Sequence, residues 1–341
     1  MSEPKHQLTA IDLFCGCGGL TLGLKEAGFR VLGAVELDPQ IVQTYSSNHP
    51  EVTVWNQDIR TLDPKEVMMR LHIDKGELSL LAGCPPCQGF SSMRTRNGKR
   101  SIFDERNFLI RDFLRFIKEF SPRAIMVENV PALAKDKLFD EFLHEIRKLD
   151  YRGEFRVLDA AFYGVPQRRK RLILMAGHGF KIPYAAPNLQ VTTVRSAIGG
   201  LLSAGKSGDI LHDTLPVHSD HVMELIHNVP HDGGSRKDLP DKFRLACHVR
   251  SNGFSDVYGR MAWDKVAPTI TSGCCNPSKG RFLHPEEDRA ITMREAALLQ
   301  GFPLEYTFKG KNRGAITLMI GNALPPPFIK AHALEIKKIV G

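Results

Sequence analysis

Short apolar runs alternate with amphipathic segments through the first 175 residues of the chain. Several of these runs are continuously apolar, which is typical of strands buried on both faces of a parallel sheet. The predicted strands are residues 8–14, 30–36, 78–82, 124–128 and 171–176. Between them lie helical patterns, the clearest over residues 107–120, where apolar positions recur at three-and-four spacing. The pattern predicts an α/β fold whose ligand chemistry sits outside the carboxyl ends of the strands.

The pattern changes after about residue 177, where the chain becomes rich in Gly, Ser, Pro and His and loses its periodicity. This composition predicts a separate small domain of loops and short strands. Regular patterning returns at Tyr258, and two helical stretches over residues 293–300 and 327–339 close the chain. We therefore expect a large domain over residues 1–180, a smaller one over 181–285, and a C-terminal segment over 286–341 that returns to the first.

Composition places the 341-residue chain among ordinary soluble globular proteins, with 42% hydrophobic and 25% charged residues. No apolar run reaches the ~18–20 residues that a membrane span needs. Residues 1–7 are polar and lack the apolar core of a signal peptide. We expect the protein to stay in the compartment where it is made.

Charge and cysteine content narrow the picture further. The net charge of +8 favours a polyanionic partner. Seven cysteines, an odd number, indicate reduced thiols rather than a disulfide framework.

A glycine-rich turn follows the first predicted strand, with Asp-Leu-Phe-Cys-Gly-Cys-Gly-Gly at residues 12–19. Glycines let the backbone approach a ligand closely, and the helix that follows would favour an anionic group at its N-terminus. Glu36 ends the next strand, where an acid can hydrogen-bond both ribose hydroxyls of an adenosine-bearing cofactor. Asp58 follows the short run 52–55 and could accept from an adenine amino group. The alternative is a tight turn with two solvated acids, and the spacing does not decide between a dinucleotide and S-adenosylmethionine.

Residues 82–91 read Ala-Gly-Cys-Pro-Pro-Cys-Gln-Gly-Phe-Ser and allow three interpretations. Cys84 and Cys87 have the spacing of a redox dithiol or of half a zinc site. A redox dithiol normally opens a helix, whereas residues 88–100 are polar, basic and contain glycine. A zinc site needs a second pair, and the remaining cysteines have poor ligand spacing. The third interpretation is a single nucleophile, Cys87, held at a strand end by a rigid proline turn.

Glu128 ends the next strand and would stand near Cys87 if the two strands are neighbours. Residues 167–171 read Gln-Arg-Arg-Lys-Arg and run directly into an apolar strand. Alternation along that strand would put Arg169 and Arg171 on one side, so that two guanidiniums could converge on one polar target. The alternatives are a solvated acid and a solvated basic face.

Together these segments resemble the cytosine-C5 DNA methyltransferase family along the whole chain except the middle of the small domain. The family's Pro-Cys-Gln motif matches residues 86–88, its Glu-Asn-Val motif matches 128–130, and its Gln-x-Arg-x-Arg motif falls on Gln167, Arg169 and Arg171. Later motifs keep the family's order at residues 258–260, 267–271, 294–295, 300–303 and 321–325.

The resemblance implies a Rossmann-like S-adenosylmethionine-dependent methyltransferase sheet with a second, smaller target-recognition domain, its recognition region roughly residues 183–255. The implied cofactor is S-adenosyl-L-methionine, and no metal is expected. The residues implied to bind the cofactor are Phe14, Gly16, Gly18, Gly19, Glu36, Leu37, Asp58, Ile59 and Asn322.

The resemblance also implies a mechanism. Cys87 would attack C6 of a cytosine flipped out of the duplex, and Glu128 would bind N3 and the exocyclic amine. Arg171 would contact the O2 side of the base, and Arg169 would organise that cluster. The residues implied to contact nucleic acid are Ser91, Arg94, Arg96, Lys99, Arg100 and Gln167.

The resemblance implies double-stranded DNA as the partner. It also implies a monomeric, cytoplasmic enzyme of a prokaryote, with a possible functional pairing with a restriction endonuclease. Two alternatives remain: a cytosine methyltransferase acting on tRNA, and a non-catalytic DNA-binding relative. The long irregular middle segment favours duplex DNA. Cys87, Glu128 and Arg171 argue against a pure binding protein, which has no need of them.

Overall fold

The computed structural model describes residues 7–86, 108–243 and 256–341. Contacts divide the chain into two compact units. The first comprises Met1–Asp159, Lys170–Pro187 and Leu324–Gly341, and the second comprises Ala160–Arg169 and Asn188–Ala323. The domain boundaries at residues 180 and 285, which the sequence predicts, stay a prediction.

A seven-stranded sheet with the order β3-β2-β1-β4-β5-β7-β6 forms the centre of the first unit. Its strands are β1 Thr9–Leu13, β2 Arg30–Glu36, β3 Thr53–Asn56, β4 Leu80–Gly83, β5 Ala124–Asn129, β6 Tyr151–Asp159 and β7 Lys170–His178. Strands β1 to β5 pair in parallel, whereas β7 runs antiparallel to both β5 and β6. The sheet confirms the predicted α/β class and adds one reversed strand that the pattern did not reveal.

Helices connect the strands, and several begin at a side-chain cap. The helices of the first unit are α1 Gly19–Glu26, α2 Pro39–Asn48, α3 Pro64–Leu71, α4 Leu109–Phe120, α5 Lys137–Lys148 and, at the C-terminus, Pro326–Val340. The carboxylates of Asp38, Asp63 and Asp136 each accept a backbone N–H in the first turn of α2, α3 and α5. Such caps satisfy donors that have no partner within a helix, so these positions start the helices.

The main core lies between the sheet and the apolar faces of the helices. Helix α4 buries Ile110, Phe113, Phe116, Ile117 and Phe120. This three-and-four spacing matches the pattern that predicted the helix. The C-terminal helix packs on α1, where a Cβ on Gly23 would stand 2.6 Å from the carbonyl oxygen of Pro326. Glycine at that position therefore permits the close approach of the two helices.

The second unit has little regular structure. Its helices are α6 Val194–Ile198, α7 Ile210–Asp213, α8 Asp220–Asn228, α9 Met293–Leu299 and α10 Arg313–Asn322, and the C-terminal helix of the first unit is accordingly α11. Buried arginines join its loops: Arg260, fully buried, donates to the carbonyls of Val229 and Ile226 and forms an ion pair with Asp288. Short strands were expected here, but the pairing seen between residues 188 and 323, outside residues 244–255, is confined to isolated bridges. No helix of the described residues is long and apolar enough to span a membrane.

Candidate active site

The parallel strands β1 to β5 end at one edge of the sheet, and β7, which runs the other way, begins there. The register pairs Leu13 with Gly83, Gly83 with Val127, and Asn129 with Leu172. This edge therefore brings together the glycine turn, Glu36, the segment after β4, Glu128 and Arg171. Their predicted proximity depended on the strand order, which the structure supplies.

The glycine turn contains three left-handed residues in close succession, Phe14 at φ 65°, Gly16 at φ 54° and Gly18 at φ 97°. Gly18 is the N-cap of α1, and Gly19 is the helix's first residue. Apart from Gly16 itself and its two chain neighbours, no described residue has an atom within 4 Å of the place where a Cβ on Gly16 would stand. The turn thus leaves open space directly above its backbone, as a cradle for a ligand requires.

Glu36 joins this turn to the end of β2. Its carboxylate accepts the N–H of Gly16 at 3.0 Å and that of Asp38 at 2.9 Å. Burial raises the pKa of Glu36, while these backbone donors act in the opposite direction. A carboxylate offers about four acceptor positions, so Glu36 keeps capacity for ligand hydroxyls. The next residue, Leu37, is 61% exposed and presents apolar surface beside the carboxylate.

Asp58 follows β3 and forms a close ion pair with Arg60. Arg60 Nε lies 3.0 Å from both carboxylate oxygens, and its Nη2 lies 2.6 Å from Oδ2. The hydrogen bond from Arg60 lowers the pKa of Asp58. A ligand amino group at Asp58 must therefore share the carboxylate with Arg60. The side chain of the neighbouring Ile59 is buried, so a ligand contact at Ile59 would use its backbone.

Asp12, the first residue of the glycine-rich motif, is a buried acid. The sequence predicted no separate role for it. Its Oδ2 accepts from Thr21 Oγ1 at 2.7 Å, and that hydroxyl also bonds Tyr45 at 2.7 Å. Its Oδ1 has no hydrogen-bond partner among the described residues. Burial raises the pKa of Asp12 to about 7. An acid within an otherwise apolar strand run was the available sequence signal.

The structure describes the segment after β4 as far as Pro86. Asn129 Nδ2 donates to the carbonyl of Pro85 at 2.7 Å, and its Oδ1 accepts from Val130 N at 2.8 Å. The segment leading to the predicted nucleophile is thus tied to the end of β5. Cys87 lies outside the described residues, so its proximity to Glu128 stays a prediction. The predicted DNA contacts that also lie outside are Ser91, Arg94, Arg96, Lys99 and Arg100.

Glu128 is 1% exposed, which excludes the alternative of a solvated loop acid. Arg171 Nε lies 2.9 Å from its Oε1, and the thiol of Cys84 donates to its Oε2 at 2.8 Å. Desolvation of the sulfur, followed by the negative charge of Glu128, raises the pKa of the Cys84 thiol well above its usual value. Because thiol exchange needs a thiolate, this environment argues against Cys84 as the attacking half of a redox dithiol.

The two arginines of the Gln-x-Arg-x-Arg motif have different partners, contrary to the prediction. Strand β7 begins at Lys170, so Arg169 precedes it and the argument from strand alternation does not apply. The buried Arg169 donates to the carbonyls of Ile270 and Gly321 at 2.9 Å and to that of Ala323 at 3.2 Å. Arg171 instead pairs with Glu128. The expectation that both guanidiniums share one polar target is therefore corrected.

The burial of Gln167 also contradicts the prediction that this residue contacts DNA. Its side chain is fully buried, its Nε2 donates to the carbonyl of Leu299 at 2.9 Å, and its Oε1 accepts from Ile270 N at 2.9 Å. These bonds leave no exposed amide for nucleic acid. Asn322, predicted to bind the cofactor, is the exposed last residue of α10, and Arg169 holds the carbonyls on either side of it.

The comparisons with known proteins identify the family of the chain. Residues 8–338 match the family model for C-5 cytosine-specific DNA methylase. The Type II methylase M.HgiDII of Herpetosiphon aurantiacus is 36% identical over 97% of this chain and 95% of its own length. The Type II methyltransferase M1.HphI of Haemophilus parahaemolyticus is 35% identical over 97% of this chain and 87% of its own. The solved structure of the Entamoeba histolytica methyltransferase EhMeth superposes with a TM-score of 0.69 at 16% identity, covering 99% of this chain and 100% of that one, and this likeness supports the expected fold.

The buried Asp12 predicts a specific dependence of stability on pH. Its pKa in the folded protein, about 7, lies above the ordinary value of 3.8, so the folded state holds the proton more tightly. Its contribution to stability is full below pH 4 and is lost as the pH rises through about 7. Asp12→Asn cannot ionise, so its free energy of unfolding relative to wild type should rise by up to about 4 kcal/mol from pH 4 to pH 8.

Urea unfolding of both proteins at a series of pH values measures this difference. Asp74→Asn, which removes an exposed acid, corrects for the loss of one negative charge. Parallel pH profiles for wild type and Asp12→Asn would show that Asp12 does not titrate in this range.

Proposed function

The chain belongs to the C-5 cytosine-specific DNA methylase family, and on that premise we propose that it methylates one cytosine of a specific duplex DNA sequence through a covalent Cys87–C6 bond. Membership makes it a DNA cytosine-5 methyltransferase that uses S-adenosylmethionine. The observation that carries the proposed mechanism is the buried carboxyl of Glu128, bound by Arg171 at the end of β5. That acid belongs to the strand adjacent to β4, whose following segment leads into Cys87.

The covalent step accounts for the residue types at this edge. Cytosine C5 is a poor nucleophile, and addition of the Cys87 thiolate to C6 converts the ring into an enamine that can accept a methyl group at C5. Glu128 shares a proton with N3 and accepts an N–H of the exocyclic amine, which stabilises the ring as the C6–S bond forms. A base then removes the C5 proton, the electrons restore the C5–C6 double bond, and the C6–S bond breaks to release Cys87.

The residues at the glycine turn fit S-adenosylmethionine, which supplies a methyl group on a sulfonium when bound. Glu36 has acceptor capacity for the ribose hydroxyls, and the space above Gly16 admits the ligand. Leu37 offers an exposed apolar surface to the adenine ring, and Asp58 offers an acceptor to its amino group. Phe14, Gly18, Gly19, Ile59 and Asn322 complete the proposed set.

Duplex DNA is the proposed substrate, and the net charge of +8 favours such a polyanion. The target cytosine must leave the base stack before Cys87 can reach C6. We assign the cover over the flipped base to the basic segment that contains Arg94, Arg96, Lys99 and Arg100, with Ser91, and sequence recognition to residues 183–255. The Type II names of the relatives support a functional pairing with a restriction endonuclease. The proposed enzyme is a monomer of the prokaryotic cytoplasm.

The proposed role of Asp58 in cofactor binding can be tested by a binding measurement, without an activity assay. Asp58→Ala removes the proposed acceptor for the adenine amino group, and the loss of one such hydrogen bond costs about 0.5–1.5 kcal/mol. Calorimetry should show S-adenosylmethionine binding weakened by roughly two- to tenfold, with DNA binding nearly intact. Asp74→Ala is the matched control, because Asp74 precedes β4 and lies on the amino side of that strand. Equal affinities for wild type and Asp58→Ala would remove Asp58 from the cofactor site.

The covalent mechanism predicts that fluorinated DNA traps the enzyme. With fluorine at C5 there is no proton to remove, so the reaction should stop after methyl transfer with Cys87 still bonded to C6. DNA carrying 5-fluorocytosine at the methylated position should give a denaturant-resistant complex that requires S-adenosylmethionine. Gel electrophoresis under denaturing conditions measures it.

Two variants make the trapping experiment specific. Cys87→Ser should give no complex, and Glu128→Gln should form it much more slowly because Glu128 assists the attack on C6. The covalent mechanism is wrong for this chain if the wild-type protein binds fluorinated DNA, methylates the unfluorinated sequence and still forms no stable complex.

A further inference from the structure

Cys84 contacts the second oxygen of the same carboxyl that Arg171 binds through the first. We propose that Cys84 is a positioning residue for methyl transfer, whose thiol holds Glu128 Oε2 while Arg171 holds Oε1. The carboxyl plane of Glu128 is then set before DNA binds. This inference rests on the proposed role of Glu128 towards the cytosine.

The backbone around Cys84 is tied on both sides. Cys84 N donates to the carbonyl of Leu13 at 3.2 Å, which joins the residue to the end of β1. On its other side, the carbonyl of Pro85 accepts from Asn129 Nδ2 at 2.7 Å. Two consecutive prolines restrict the backbone that follows. The sulfur is therefore presented to Glu128 from a backbone that has little freedom to move.

The chemistry of the thiol suits a donor that carries no charge. The charged groups that face the sulfur are Glu128, Arg171 and Asp12, and burial together with the charge of Glu128 keeps Cys84 protonated by raising the pKa of its thiol. A thiol therefore donates one hydrogen bond and adds no charge to the buried pair. A second cation at this position would bring a further desolvation cost.

The proposed contacts to the base require a fixed orientation of the Glu128 carboxyl. Cytosine N3 is an acceptor, so the carboxyl must share a proton with it, whereas the exocyclic amine donates an N–H to the carboxyl. Donors that orient the carboxyl beforehand reduce the reorganisation required during the attack on C6.

A double-mutant cycle tests whether Cys84 acts through Glu128. Single-turnover methyl transfer is measured on a DNA that the wild-type protein methylates, using Cys84→Ala, Cys84→Ser, Glu128→Gln and the Cys84→Ala/Glu128→Gln double variant. Cys84→Ala should slow the reaction by about three- to tenfold, the equivalent of one modest hydrogen bond. Cys84→Ser, which keeps a donor, should recover much of the rate. In the Glu128→Gln background, Cys84→Ala should change the rate by less than about twofold, because the two residues act as a unit.

Controls separate positioning from packing. Cys275→Ala removes another buried thiol and should keep the wild-type rate. Calorimetric binding of S-adenosylmethionine should be the same in all variants, which reports an intact sheet edge. Cys84→Val, which fills the space without a donor, replaces Cys84→Ala if the latter does not fold.

The outcomes are distinguishable. Equal rates for Cys84→Ala and wild type, or equal losses in the wild-type and Glu128→Gln backgrounds, would overturn the positioning role while leaving the methyltransferase function intact. Failure of the wild-type protein to methylate any DNA would instead refute the proposed function, and the role of Cys84 with it.

Discussion

A carboxylate withdrawn from water is stable only when it is paired, and the end of β5 is arranged around that requirement. Glu128 is buried and is held by Arg171. Leaving one member of such a buried pair alone costs about 3–5 kcal/mol. The pairing depends on the reversed direction of β7, because a parallel strand in that place would begin at the opposite edge of the sheet and carry Arg171 away from Glu128. One antiparallel strand thus makes the candidate active site compatible with a stable core.

The same edge contains a second buried acid, whose carboxyl has no cation partner within the part of the chain that the structure describes. Asp12 is stabilised by the hydroxyl of Thr21, and burial raises its pKa to about 7. The ion pair at Glu128 compensates a buried negative charge, whereas proton uptake relieves the desolvation of Asp12. The two acids therefore have different partners: Glu128 is held by Arg171 and by the thiol of Cys84, whereas Asp12 accepts from the hydroxyl of Thr21 in α1.

Local pattern identified much of the fold and of the site. Strand β2 begins and ends where its apolar run predicted, and the acids at strand ends, Glu36 and Glu128, lie at the expected edge. Strand β6 was missed because it alternates between buried and exposed residues instead of forming an apolar run. The burial of Gln167 depends on Leu299, 132 residues away, which no local pattern contains. The bond between Cys84 and Glu128 likewise requires the pairing of β4 with β5. By contrast, the pair formed by Asp58 and Arg60 spans only two residues and could have been foreseen.

The arginine motif shows why residues of one motif need not share one role. Gln167 and Arg169 belong to the second unit and use their side chains to hold backbone groups there. Two residues further along the chain, Arg171 belongs to the first unit and neutralises Glu128. Arg169 suits its task because a guanidinium donates in several directions and can join three carbonyls at once. Arg171 suits its own because a fixed positive charge compensates a buried carboxylate. Both residues are arginines. Only the partners of each guanidinium distinguish the structural Arg169 from Arg171 at the candidate active site.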